Sequence, residues 1–148
     1  MKKIFFIFIF LISSCGYQPI YLNKNPDNFI FKKITASGEK KINRKIINSA
    51  SFIEDSSFTL NNELLINSNL DINETSKNSK GQVESFRTNI VVNFTIKNNG
   101  QIIKTKNFTK DFSYNNRESK SELTEYQKEI ENNIVNEIIE EIIIYMNL

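Results

Sequence analysis

Few residues in this 148-residue chain have the chemistry for a reaction. There is one cysteine, Cys15, and no histidine. Ser-His-Asp and Cys-His arrangements need an imidazole to carry the proton, so both are excluded. Zinc centres built on His and Cys are excluded too, because one thiol and no imidazole cannot supply the ligands. No glycine-rich phosphate loop of the G-x-x-x-x-G-K-[ST] or G-x-G-x-x-G kind is present. Carboxylate pairs such as Glu140-Glu141 exist, but adjacent helix residues do not converge on one substrate. Two resources remain. One is the Cys15 thiol. The other is a set of lysines, Lys104, Lys106 and Lys110, whose ammonium groups suit an anionic partner. The composition predicts a binding or structural role, with no catalytic residue, metal or cofactor.

The surroundings of Cys15 give its thiol a task. Met1-Lys2-Lys3 is a short positive start, and Ile4–Ile12 is an unbroken apolar run. This order is that of a secretory signal. Nine apolar residues are too few to span a bilayer, which takes about 20. Ile12-Ser13-Ser14-Cys15 resembles the lipobox of bacterial lipoproteins. That resemblance implies cleavage before Cys15, a diacylglycerol on its sulfur and an acyl chain on the new amine. The plain alternative is an ordinary signal with an incidental cysteine, but a lone cysteine in a secreted chain calls for its own explanation. Several acyl chains on one residue give stable anchoring.

Removing residues 1–14 leaves 134, enough for one domain with a single core. It also takes away Lys2 and Lys3. The whole chain has Lys+Arg 19 and Asp+Glu 17, so the remainder is formally neutral, and the global argument for nucleic acid disappears. No disulfide can form within the chain, so the fold must rest on its core. The expected organisation is a signal over 1–14, a lipidated tether over 15–28 and a folded domain over 29–148. Charge is unevenly spread. Residues 29–50 and 97–120 are rich in lysine, and the last 28 residues carry seven Glu and one Lys.

The elements that must position these lysines follow from periodicity. Pro19, Pro26 and several Asn mark residues 16–28 as irregular. Asn28–Ile34 has the β-branched and aromatic content of a first strand. A helix follows from Ser37-Gly38-Glu39 to about Ala50, with Ser37 as its cap and Ile42, Ile46 and Ile47 on its apolar side. Over 63–74, Leu64, Ile66, Leu70 and Ile72 alternate with Asn67, Asn69, Asp71 and Asn73, the pattern of a half-buried antiparallel strand. Over 84–97, Phe86, Ile90, Val92, Phe94 and Ile96 alternate with Arg87, Asn89, Asn93 and Thr95. Residues 75–82 are polar and contain Gly81, and read as a loop or a frayed hairpin end. Ser119–Met146 reads as a long final helix. Ser119 with Glu122 forms a capping box, and Leu123, Tyr126, Ile130, Ile134, Ile138, Ile142 and Tyr145 form a stripe at spacings of three and four.

Asn98-Asn99-Gly100 signals a hairpin, and two registers compete. A two-residue Asn99-Gly100 turn pairs Phe94 with Thr105 and Val92 with Asn107. A three-residue loop with Gly100 in a left-handed bulge pairs Ile96 with Ile102, Ile90 with Phe108 and Phe86 with Phe112. The second matches apolar with apolar and is the expected one. A slip of one residue would turn every side chain to the other face. The expected register puts Lys104 and Lys106 on the mostly apolar face. Inward lysines on an edge strand discourage edge-to-edge association. The other reading is a partly open face that holds a lipid with an anionic head.

Both ends of the mature chain resemble one family. Cys15-Gly16-Tyr17-Gln18-Pro19-Ile20-Tyr21 is similar to the mature start of the lipopolysaccharide-assembly lipoproteins, the LptE family, particularly its alphaproteobacterial branch. There a lipidated Cys-Gly is followed by an aromatic residue, Pro, an aliphatic residue and Tyr. Ser113-Tyr114-Asn115, Ser119 and a helix with acidic residues near Glu129 and Glu137 resemble the family's last strand and C-terminal helix. The final helix departs in being rich in Ile and Glu rather than Ala and Arg. The resemblance implies an α+β fold: a four-stranded mixed, largely antiparallel sheet with two helices on one side, in the order β-α-β-β-β-α. It implies a lipid anchor in the outer membrane facing the periplasm, with Gly16 permitting release from the inner membrane, where Asp commonly retains a lipoprotein. It implies an LptD-type outer-membrane barrel as partner, whose lumen such proteins partly plug, and lipopolysaccharide as the molecule placed in the outer leaflet. Lys104, Lys106 and Lys110 are the residues expected, from local pattern, to meet its phosphates. The rival reading is an unrelated outer-membrane lipoprotein serving as a periplasmic ligand-binding or envelope-assembly module.

Overall fold

The structure, a computed structural model, describes residues 29–148. The signal, the tether, Cys15 and Gly16 lie outside the described residues. The elements run β1 (Phe29–Phe31), β2 (Lys33–Gly38), α1 (Lys40–Ser49), β3 (Phe52–Glu54), β4 (Asn62–Lys77), β5 (Val83–Asn98), β6 (Gln101–Asn115) and α2 (Lys120–Met146). The main sheet has the order β2-β4-β5-β6. β2 and β4 are parallel and joined through α1, while β4, β5 and β6 form an antiparallel meander. This is the expected α+β architecture.

One side of the sheet carries the core. The alternation read from sequence buries Leu64 and Ile66 on β4, and Ile90, Val92, Phe94 and Ile96 on β5. Both helices cover this side. Ile42 and Ile46 come down from α1, and Ile130, Ile134, Val135, Ile138, Ile139 and Ile142 from α2, into the same cluster. α2 begins where its cap predicts: the Ser119 hydroxyl accepts a 3.1 Å hydrogen bond from the Glu122 backbone N–H. An N-terminal helix N–H has no intrahelical partner, and this bond supplies one.

Three local expectations are corrected. The first strand is split: β1 leaves the main sheet at Lys32 and pairs in parallel with β3, an element too short to show any periodicity. Ser37 does not cap α1. It belongs to β2, and its carbonyl accepts from the buried Asn43 Nδ2 at 2.7 Å. Gly38 then turns the chain at φ +82°, bringing its backbone so close to Ser68 that a Cβ would sit 1.9 Å from the Ser68 carbonyl oxygen. Glu39 stands in the cap position without a side-chain cap bond. Of the two readings of residues 75–82 the hairpin end holds: β4 runs on to Lys77, and the chain turns around Asn78–Gln82.

The third correction concerns the hairpin, where neither register holds throughout. Asn99 and Gly100 have φ of +48° and +79°, the paired left-handed residues of a two-residue turn. Asn98 pairs with Gln101 and Lys97 with Ile102, but Ile103 then bulges, so that Ile96 pairs with Lys104 and Val92 with Phe108. The expected pairs Ile96–Ile102, Ile90–Phe108 and Phe86–Phe112 are each off by two residues. A shift of two preserves the face, which is why the face expected for each side chain survives. A two-residue turn without the bulge would have turned Phe108 outward.

Candidate functional site

The lysines expected to meet an anion all stand on β6, the edge strand. Cross-strand partners share a face, so the pairs Ile96–Lys104, Phe94–Lys106 and Ile90–Lys110 put all three on the helix side of the sheet. β6 forms the rim of that side, and α2 runs beside it. Phe108, fully buried, sits between Lys106 and Lys110.

The surroundings of the three differ. Lys110 is clamped: its Nζ is 2.7 Å from Glu141 Oε1 and 3.7 Å from Glu137 Oε2. The hydrogen bond to Glu141, followed by that residue's charge, raises the Lys110 pKa above the ordinary lysine value. Lys104 and Lys106 make no ion pair among the described residues. Both ammonium groups lie 5.3 Å from the centre of the Tyr145 ring, and Lys106 lies 4.8 Å from that of Phe108. Lys104 also donates at 3.4 Å to the Tyr145 carbonyl, one of the last carbonyls of α2. The negative end of a helix dipole and the faces of aromatic rings both hold cations in place. Lys106 remains exposed and Lys104 half-buried.

Tyr145 is therefore the residue that organises this rim. It packs edge-on against Phe94 and Phe108, and its hydroxyl donates to the Thr105 carbonyl at 3.3 Å. In the sequence it was only the last member of an apolar stripe. The Lys110 clamp did have a signal, since Glu137 and Glu141 are four apart and share one helix face.

The opposite side of the sheet is bare of helix. Its rows run straight across three strands: Asn67–Asn93–Asn107, Asn69–Val91–Thr109, Asp71–Asn89–Asp111 and Asn73–Arg87–Ser113. Thr95 and Thr105 hydroxyls meet at 3.0 Å, and Arg87 Nε donates to Ser113 at 3.0 Å. This side offers amides and hydroxyls in register, interspersed with Asp71, Asp111 and Arg87, of which Arg87 and Asp111 approach to 3.5 Å.

The model of the LptE family, lipopolysaccharide-assembly, matches residues 30–146. This chain belongs to the LptE family. Among solved structures, rare lipoprotein B from Shewanella oneidensis superposes with a TM-score of 0.60 at 11% identity, covering 78% of this chain and 93% of that one. The uncharacterized lipoprotein B from Nitrosomonas europaea gives 0.58 at 11% identity, with 78% and 79% covered. A lipoprotein from Caulobacter crescentus gives 0.52 at 11%, with 75% and 85% covered. At such identities the likeness shows the shared fold. No curated protein matches the sequence. Membership assigns this LptE-family chain to the lipoproteins of lipopolysaccharide transport at the outer membrane. No helix among the described residues is long and apolar enough to cross a membrane.

Proposed function

We propose that this chain is the accessory subunit of the outer-membrane lipopolysaccharide translocon: it is anchored by acyl chains on Cys15, sorted outward by Gly16 and seated within an LptD-type β-barrel that it plugs and helps to assemble. The observation that carries this reading is the bare side of the sheet. A plug must face a wall lined by polar side chains, because barrel interiors are polar. The rows of Asn, Thr and Ser on β4, β5 and β6 are suited to such a wall, since they offer mostly neutral donors and acceptors, and the Arg87 charge among them already has Asp111 as a partner. The test is co-purification. The full-length lipidated chain should come out of detergent as a stable complex with a large barrel, and a chain that elutes alone as a monomer would overturn the reading.

Within that role, the β6 lysines are proposed to meet lipopolysaccharide phosphates, with Lys104 and Lys106 making the direct contacts. The Glu137–Glu141 clamp occupies Lys110, which helps hold β6 against α2. Replacing Lys104 and Lys106 together by alanine should weaken lipopolysaccharide binding severalfold, through loss of charge-assisted hydrogen bonds. The single change Lys110→Ala should weaken it less. Unchanged binding after removal of all three lysines would exclude the site.

A further inference from the structure

Large apolar side chains exposed to solvent are not scattered over this molecule. Eight are exposed among the described residues, and six of them, Ile53, Leu60, Ile102, Ile103, Ile144 and Leu148, collect at one end. Ile102 and Ile103 stand at the β5–β6 tip with 61% and 54% of their surface open, and Leu60 beside them with 53%. The neighbourhood is fixed by hydrogen bonds. Asn99 N–H donates to the Asn61 carbonyl at 3.2 Å, and Asn61 Nδ2 to Asn99 Oδ1 at 3.1 Å. The end of α2 arrives through the contacts of Tyr145 with Lys104 and Thr105.

This is also the end at which the chain enters the fold. Lys32 N–H donates to the Asn62 carbonyl at 2.8 Å, and β1 lies beyond it, paired with β3 and Ile53. Thirteen residues separate Phe29 from Cys15. Even fully extended they reach only about 45 Å, less than the roughly 53 Å length of a 16-residue strand such as β4. An anchor at Cys15 thus keeps this end within the tether's reach of the bilayer and does not let the domain stand upright on its β4–β5 end.

We propose that this end rests on the phospholipid bilayer surface, with Leu60, Ile102 and Ile103 entering the boundary between headgroups and acyl chains. Contiguous exposed aliphatic side chains are costly in water, and this boundary receives them. Lys97, Lys104 and Lys106 flank the tip with long stems that let their ammonium groups stay at the headgroup level. Of the acids nearby, a Glu54 carboxylate oxygen accepts from Ile34 N–H at 3.1 Å, the Asp55 carboxylate accepts from the Ser57 hydroxyl at 2.6 Å, and Glu63 stands in one cross-strand row between Lys33 and Lys97. The surface gives a lipid-anchored domain a second point of contact and so a fixed orientation. The proposal rests on the Cys15 anchor.

The chain contains no tryptophan, so a single one reports on one place. Full-length lipidated protein carrying Ile103→Trp, and separately Phe112→Trp at an exposed site far along β6, is reconstituted in phosphatidylethanolamine–phosphatidylglycerol vesicles with brominated acyl chains. Flotation with the vesicles reports the anchor independently. The Ile103→Trp emission should shift to the blue and be quenched severalfold more than that of Phe112→Trp, placing it about 5–10 Å into the boundary. Equal quenching at the two sites in floating protein overturns the proposal and leaves the anchor standing. Protein that does not float overturns both. A blue shift at Ile103→Trp seen only after a barrel partner is added assigns this end to protein, and also overturns it.

Discussion

Lys110 of β6 and Glu141 of α2 are joined by a 2.7 Å hydrogen-bonded ion pair at the open rim of the fold. The pair ties an edge strand, which otherwise has one unpaired backbone side, to the helix that covers its inner face. A lysine whose folded-state pKa is raised stabilises the fold fully below the pKa of the unfolded lysine. That contribution is lost as pH rises through the folded value. Lys110→Gln is therefore expected to lower Tm slightly at neutral pH, by a few degrees at most because the pair is partly exposed. The gap to the unmodified protein should shrink in high salt and close only in strongly alkaline solution. Thermal melts across pH and salt check this.

Gly38 is the tightest point of the β2–α1 connection. Its φ of +82° disfavours any side chain, and a Cβ would collide with the Ser68 carbonyl oxygen, which also accepts from Glu39 N–H at 3.1 Å. Backbone cannot swing away as a side chain can. Gly38→Ala should cost about 2–4 kcal/mol, combining left-handed strain with displaced backbone. Urea denaturation measures it. A loss below about 0.5 kcal/mol, the size of an ordinary surface change, would mean the close approach is not kept in solution.

Phe94 joins the two parts of the core. Its ring meets Phe52 of β3 at 5.8 Å, Phe108 of β6 at 6.3 Å and Tyr145 of α2 at 6.4 Å. Phe94→Ala should destabilise by about 3–5 kcal/mol. Because Tyr145 leans on the same ring, the change should also loosen the aromatic seat of Lys104 and Lys106. A variant that remains folded should lose lipopolysaccharide binding along with stability, whereas Ile130→Ala, also buried but about four turns before Tyr145 on α2, should lose stability alone. Urea titration and binding assays on the Phe94 and Ile130 variants separate these outcomes.

Legibility in the sequence followed the length of the element. β4, β5 and α2 repeat their periods often enough to fix both identity and facing, and Ser119 marked the start of α2 by a mechanism that operates locally. β1 and β3, at three residues each, are held by a partner distant in sequence and by Phe52 against Phe29 and Phe31, none of which any period reports. Ser37 looked like a cap because Ser often is one. What decided otherwise was the approach of Ser68 from another strand. At the rim, the three lysines were visible and their unequal roles were not, because Glu141 and Tyr145 reach them from a helix 31 to 41 residues further along the chain.

The bulge at Ile103 yields the sharpest prediction about the fold. Ile103 is exposed and is not part of the core, so Ile103→Ala should be nearly neutral in water, within about 0.5 kcal/mol. Deleting Ile103 removes the one extra residue of the bulge. The Asn99-Gly100 turn then continues without interruption, and Ile96 still pairs with Lys104, Phe94 with Lys106 and Val92 with Phe108. Phe108 keeps its place on the buried side, because the shortened strand meets β5 in the same register beyond the turn. The deletion should therefore be tolerated, with a cooperative melt and a Tm lower by a few degrees at most, as read by circular dichroism. A deletion variant that loses cooperative unfolding would show that the bulge itself, and not only the register it sets, holds β6 in place.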